Sequence, residues 1–343
     1  MKRHLNTLYV TTQGAYLAKE GEAVVVRVDR AVRLRVPLHT LGGIVCFGHI
    51  TCTPALMAMC ARAGVAISYL TENGRFLARV QGFTPGNVLL RREQYRQADD
   101  KYKTAEVARN IVSAKLANSR GVLLRTMRDY PDSRGYAALE NAAGRIGWAL
   151  KQIRSVSDTD GVRGLEGECA NIYFGVFNHL ITSHQDSFKM NGRSRRPPLD
   201  PVNALLSFLY SMLMHDTRAA CEAVGLDAAV GFLHRDRPGR PSLALDLMEE
   251  FRPFLADRLA LSLINRRQVS PDGFETSESG AVTMDDDTRK TVISAFQKRK
   301  QDEITHPFLG EKTTVGLMVH LQARLFARYL RGDLDGYPTF IWK

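Results

Sequence analysis

The chain has 343 residues and a formal net charge of +11, from 47 Lys and Arg against 36 Asp and Glu, with a sequence pI near 9.5. With 44% hydrophobic and 24% charged residues it has the composition of a globular protein of about two domains, which excludes extensive disorder. The basic excess points to a polyanionic partner, nucleic acid first, and no run of 18 apolar residues exists to cross a membrane.

Residues 1–10 lack the apolar stretch of a signal peptide, and the five cysteines (Cys46, Cys52, Cys60, Cys169 and Cys221) form no CxxC pair. Neither a disulfide framework nor a zinc ribbon is expected, and the expectation is a soluble, cytoplasmic protein. Up to about residue 85 the texture is that of strands. Residues 5–10, 15–19, 23–28 and 32–37 are short β-branched or alternating runs, with Gly14 and Gly21 where turns are needed, and 43–47 reads as a further strand. Thr53-Pro54 then opens a helix, Thr as N-cap and Pro at the first helical position, and Gly64 closes it. Strand pattern resumes at 65–70 and 76–81 around a turn at Glu72-Asn73-Gly74.

After Thr84-Pro85-Gly86 the apolar period changes to about 3.6 residues. Residues 87–119 read as a long basic helix or helix pair, followed by helices at 137–153, 158–183, 201–224, 243–265, 286–301 and 316–331. Pro253 should kink or break the helix of 243–265. Residues 130–132, 195–200 and 235–241 read as loops, and 279–284 as a small hairpin strand. The predicted class is α+β: an N-terminal β-strand domain over 1–85, then a larger, all-helical catalytic domain over 86–343. Charge follows the same division, since 1–85 holds 10 basic against 4 acidic residues, 86–154 holds 14 against 7, and 155–343 holds 23 against 25.

Three segments set polar residues into apolar surroundings. In the first, Glu166 is followed by the small residues Gly167, Cys169 and Ala170, so another helix or a ligand can approach closely. A helix gives up about 1 kcal/mol at Gly167 relative to Ala. A solvent-facing Glu beside a packing Gly reads the same residues equally well. The second is Gly231-Phe232-Leu233-His234, where His234 is either a ligand or a satisfied core residue. The third places Asp246, Glu249 and Glu250 at i, i+3 and i+4, one carboxylate face if helical, which a cation has to neutralise. An exposed face with Arg252 as counter-charge is the alternative. Together they offer carboxylates and one imidazole from three elements, a set suited to Mg²⁺ or Mn²⁺ rather than zinc and thus to phosphodiester chemistry.

At these residues the sequence resembles a known family, the CRISPR-associated adaptation integrases, nuclease-like proteins that insert new spacers into CRISPR arrays. Residues 5–11, 86–95, 165–170, 197–207, 231–234 and 246–253 match the family pattern, and 329–333 with Tyr337-Pro338 resemble its type I branch. The resemblance implies an N-terminal β domain that dimerises, a helical catalytic domain, and a metal triad of Glu166, His234 and Glu249, with Asp246 in support. It implies metal-dependent endonuclease activity and joining of a prespacer 3′-hydroxyl to a repeat edge by transesterification. Implied partners are prespacer and repeat DNA, a second copy of the chain, and a small ferredoxin-like adaptation protein completing a heterohexamer. Glu168 departs from the pattern, where a small or uncharged residue is usual. His234 ligates only when neutral, so activity should fall in acid.

The grip on DNA should come from basic residues: Arg193, Arg195 and Arg196 before the Pro-Pro loop, Arg91 and Arg92 near the domain junction with Arg96, Lys101 and Lys103, and Lys298, Arg299 and Lys300. Each short run reads as well as a solvated face. Asp285-Asp286-Asp287 imitates a metal cluster, but ahead of a helix it is read as a cap that offsets the dipole. His306 and His320 lack ligand partners at useful spacing, and His39 and His49, in the β head, are read as structural.

Overall fold

A computed structural model describes residues 6–72, 76–80, 82 and 87–342. Leu5, the Asn73-Gly74 turn, Gln81 and the Thr84-Pro85-Gly86 boundary lie outside the described residues. The chain divides into two compact units, Met1–Gly86 and Asn87–Lys343.

The first unit is built from β1 (Asn6–Val10), β2 (Tyr16–Glu20), β3 (Ala23–Val28), β4 (Ala31–Pro37), β5 (Leu41–Phe47), β6 (Thr51–Cys52), helix α1 (Pro54–Arg62), β7 (Ala66–Leu70) and β8 (Phe76–Val80). One sheet has the order β1-β5-β7-β8, its first three strands parallel and β8 antiparallel. The other has the order β4-β3-β2-β6. Sequence texture alone missed β6, a two-residue parallel partner of β2. The β3–β4 hairpin turns at Asp29 and Arg30, both with positive φ (51° and 66°), the backbone that a tight two-residue hairpin requires. β4 is an exposed edge strand whose Arg35 pairs across β3 with Glu20, which also binds Arg27 at 2.6 Å. Such charges discourage edge-to-edge association. The core gathers Leu17, Val24, Ile44, Cys46, Leu56, Cys60 and Ile67. Thr53 caps α1 by accepting from the Leu56 amide, and Gly64 after its end has φ +71°. All five cysteines are free and buried.

The second unit is mostly helical: α2 (Val88–Asp99), α3 (Lys101–Asp129), α4 (Tyr136–Gln152), α5 (Thr159–Gly175), α6 (Pro201–Ala223), α7 (Ser242–Met248) and α8 (Arg258–Asn265), followed by the strand pair β9 (Phe274–Thr276) and β10 (Val282–Met284), then α9 (Asp286–Gln301), the pair β11 (Glu303–Thr305) and β12 (Lys312–Thr314), and α10 (Val315–Leu330). The stretch 87–119 is a helix pair because Asp100 ends α2 and caps α3, its carboxylate accepting from the amides of Tyr102 and Lys103. Asp285 caps α9 through the Thr288 amide at 2.7 Å, so that acidic run is a helix start. The β11–β12 pair escapes a reading of the sequence, since three-residue strands are too short to set up an alternation.

Pro253 interrupts 243–265 as expected. Lacking an N–H, it cannot complete the ladder. After α7 the chain turns through Glu249–Phe251 and runs as a π-helix over Arg252–Asp257 before α8. π-Turns of this kind are often found at functional sites.

Candidate functional site

α3 is the axis on which the site is built. Its buried stripe runs through Ile111, Lys115, Asn118 and Val122, helix-spaced positions that put a lysine where an apolar residue would otherwise sit. The Lys115 ammonium pairs with Glu166 of α5, and the same nitrogen lies 2.8 Å from Glu249 Oε2. Arg252, one turn beyond Glu249 at the start of the π-helix, reaches Glu249 Oε1 at 2.8 Å. His234 Nε2 stands 3.9 Å from that oxygen. Glu166, His234 and Glu249, drawn from three separate segments, therefore meet around one small volume.

His234 is held by Asp246. The Asp246 carboxylate is fully buried and accepts the amides of Phe232 (2.6 Å), Leu233 (3.0 Å) and His234 (2.9 Å), and it lies 2.7 Å from His234 Nδ1. With Nδ1 donating to Asp246, the lone pair of Nε2 is left facing Glu249, the usual arrangement behind a metal-ligating histidine. Gly231 is required for this loop, because a Cβ there would fall 2.9 Å from Asp246 Oδ2 and 2.7 Å from Ser242 Cβ. From α5, Arg163 donates to the Leu233 carbonyl at 2.6 Å and ties the Glu166 helix to the His234 loop.

The cluster balances its own charge. Burial favours a neutral lysine at Lys115, but Glu249 and Glu166 outweigh it and raise the pKa. Burial alone would likewise raise that of Glu249, yet Arg252, then Lys115 and His234, hold it well below the usual carboxylate range. The donor set, two carboxylates and one imidazole with no thiolate in the triad, suits a hard divalent cation. Against this, no three ligand groups are already spaced around a common point among the described residues. Lys115 stands between the two glutamates. It has to withdraw from at least one of them for the three side chains to share an ion.

Some expectations need correction. Asp246, Glu249 and Glu250 do not form one carboxylate face, because α7 ends at Met248 and the turn sends Glu250 the opposite way. Glu250 is buried and accepts from Tyr337 Oη (2.6 Å), the Phe340 amide (2.7 Å) and Gln322 Nε2 (2.9 Å), which pins the C-terminal segment. Nor does Gly167 admit a neighbouring helix: a Cβ there would meet nothing within 4 Å, so that side of α5 is open. Glu168 is exposed beside Arg145 at 3.2 Å, away from the cluster.

The basic candidates divide. Arg193 is half-buried and committed inward, to Asn203 Oδ1 at 2.6 Å and to Ser207, with its guanidinium above Tyr210. Arg195 and Arg196 are exposed, and Arg195 lines the same cleft as Lys115 and Arg252. Arg91 donates to the Gly225 carbonyl at 3.2 Å, whereas Arg92 is exposed and lines another open cavity of about 720 Å³ with Arg96, Lys103 and Arg331. Lys300 is buried against Asp216 at 2.7 Å. Lys115 and Arg163 went unnoticed in the sequence. A lysine in an apolar helical stripe was the available sign for the first, and Arg163 had none.

A β-rich unit followed by a mostly helical unit is an architecture with solved members. The fold matches a casposase bound to integration product (TM-score 0.83, 23% identity, 96% of this chain and 92% of that one). It also matches a Cas1 protein from Thermotoga maritima (TM-score 0.80, 19% identity, 98% and 100%). Residues 8–298 match the family model of CRISPR associated protein Cas1. The CRISPR-associated endonuclease Cas1 1 of Chlorobaculum tepidum is 55% identical over 343 residues, all of both chains, and the CRISPR-associated endonuclease Cas1 2 of Rhodospirillum rubrum is 53% identical over the whole of both. The chain belongs to the Cas1 family.

Proposed function

We propose that this chain is a metal-dependent DNA endonuclease and integrase of CRISPR adaptation. Family membership carries the coarser part, a CRISPR-associated nuclease that integrates spacers. The finer part rests on one observation: Glu166 and Glu249 converge on a single positive charge, with the free nitrogen of an Asp246-oriented imidazole beside them. Glu166, His234 and Glu249 would hold Mg²⁺ or Mn²⁺. When bound, such an ion neutralises charge that builds on the phosphoryl oxygens and orients the attacking oxygen.

The reaction is an exchange of phosphodiesters. The prespacer 3′-oxygen forms a bond to phosphorus at the repeat edge as the bond to the repeat strand's own 3′-oxygen breaks, and the proton lost by the first hydroxyl is matched by the one gained by the second. Water in place of the 3′-hydroxyl gives hydrolysis and hence nicking. Lys115, once it releases a glutamate, and Arg252 present cations to the scissile phosphate from the same cleft as Arg195. Under this reading the active assembly contains a second copy of the chain, dimerised through the β unit, and a small ferredoxin-like partner. The fold shared with part of one chain of a solved Cas6-RT-Cas1–Cas2 complex supports it (TM-score 0.84, 22% identity, 99% of this chain and 36% of that one).

A non-catalytic DNA-binding scaffold is the second reading, favoured by the lysine that already pairs with both glutamates. Plasmid nicking and half-site integration with Mg²⁺ or Mn²⁺ decide between them. Glu166→Ala and His234→Ala should each reduce both activities by at least about a hundredfold. Equal rates in the parent and both variants would leave the scaffold standing.

A further inference from the structure

Arg258, the first residue of α8, has a guanidinium stacked 4.2 Å from the centre of the Trp342 ring and 5.8 Å from that of Phe254. Its Nη1 is buried with no hydrogen-bond partner. Two more arginines close on the same aromatic pair, whose rings lie 5.6 Å apart: Arg125 is 5.7 Å from Trp342, and Arg299 is 5.3 Å from Phe254. Among the described residues, carboxylates are too few to match them. Asp129 is shared by Arg125 (3.4 Å) and Arg128 (3.2 Å), and Asp302 is taken by Arg299 (2.7 Å). Among the described residues, four guanidinium groups therefore face two acids.

Aromatic faces attract these cations but do not neutralise them. Burial, followed by the charges of Arg125 and Arg299, depresses the Arg258 guanidinium to about 10. A protein that gathers cations without their counter-ions is pre-organised for an anion, and planar guanidinium forks match phosphate oxygens. The position suggests which anion. Arg125 follows Lys115 on α3 by ten residues, or about 15 Å of helix. That offset leaves the arginines outside the Lys115 cleft but within reach of the backbone of the same DNA strand.

We infer that Arg125, Arg258 and Arg299, gathered on Trp342 and Phe254, form a second phosphate-holding site that grips the backbone of a DNA strand outside the Glu166–His234–Glu249 centre. The inference takes DNA as the substrate from the proposed function and adds a contact outside the cleft.

The test is binding of a labelled 20-base-pair duplex by the full chain, followed by anisotropy between 50 and 200 mM salt. Arg258→Gln, Arg125→Gln and Arg299→Gln should each weaken binding by about three- to tenfold, and each should make the slope of log affinity against log salt shallower by about one. Thermal melting checks that the variants are folded, and should Arg258→Gln fail to fold, the more exposed Arg125→Gln decides. Parent-like affinity and slope in the folded variants overturn this site while leaving the nuclease reading intact. Retention of inorganic phosphate by the parent without any change in DNA affinity in the variants overturns it too. A parent chain that binds no DNA sinks both proposals.

Discussion

The Lys115 ammonium is at once the counter-ion that lets Glu249 stay charged while buried and the group that stands in a cation's way. Removing one member of a buried ionic cluster leaves the others uncompensated, at a typical cost of about 3–5 kcal/mol. Lys115→Met should therefore lower the melting temperature in metal-free buffer, and Mn²⁺ should recover more stability in the variant than in the parent. A melt indifferent to Mn²⁺ in both would argue against an ion at these glutamates. Asp257, on the π-helix, tests a different consequence of burial. Burial raises its carboxyl to about 6, against the opposing effect of the Tyr210 hydroxyl that donates to it at 2.6 Å. An acid whose folded pKa is raised contributes stability that is fully present below its unfolded value near 4 and is lost as pH rises through about 6. Over that window the parent should lose up to about 3 kcal/mol relative to Asp257→Asn, measured by urea melts at pH 4, 5, 6 and 7.

At the scale of elements, the feature that positions Glu249 is the C-terminal segment laid over the turn after α7. Phe340 is fully buried, stacked on Phe251 with ring centres 5.0 Å apart and edge-on to Phe254 at 5.0 Å. Asn118 of α3 donates to the carbonyls of both Glu250 (2.7 Å) and Phe340 (2.9 Å) and accepts from the Trp342 amide (2.9 Å). The segment thus fastens the backbone of Glu250, the residue after Glu249, to the helix that carries Lys115. Phe340→Ala should cost about 3–5 kcal/mol through lost burial and the cavity left behind. Nicking should fall as well in protein that is still folded at the assay temperature, because the turn bearing Glu249 loses its support. A variant destabilised by this amount but fully active would show that the turn holds its shape without the segment.

For the whole molecule, the positive charge makes salt the governing variable. If phosphate contacts dominate, a site of six or more contacts should lose at least about a thousandfold in DNA affinity between 50 and 200 mM salt, and flat binding would indicate contacts of another kind. Much of this molecule is legible in its residues alone. The α+β class and most helices follow from local periodicity, and the helix starts at Thr53 and Asp285 follow from side chains that cap their own neighbours, whereas the cap at Asp100 emerged only in the structure. The three site candidates stand out as polar residues in apolar runs, and family resemblance singles out Glu166, His234 and Glu249. Periodicity extended past Met248 misleads, because a helical wheel gathers Glu249 and Glu250 with Asp246 on one face while α7 ends at Met248 and the turn over 249–251 sends Glu250 elsewhere. What only the tertiary structure decided is what the charges face: Lys115 between two glutamates, Asp246 beneath the histidine loop, Arg193 turned inward, Arg258 in no ion pair with a described residue. Capping and periodicity act over a few residues and are written into the local sequence, whereas electrostatic partnership depends on groups separated by about ten to more than a hundred positions, which become neighbours only when the chain folds.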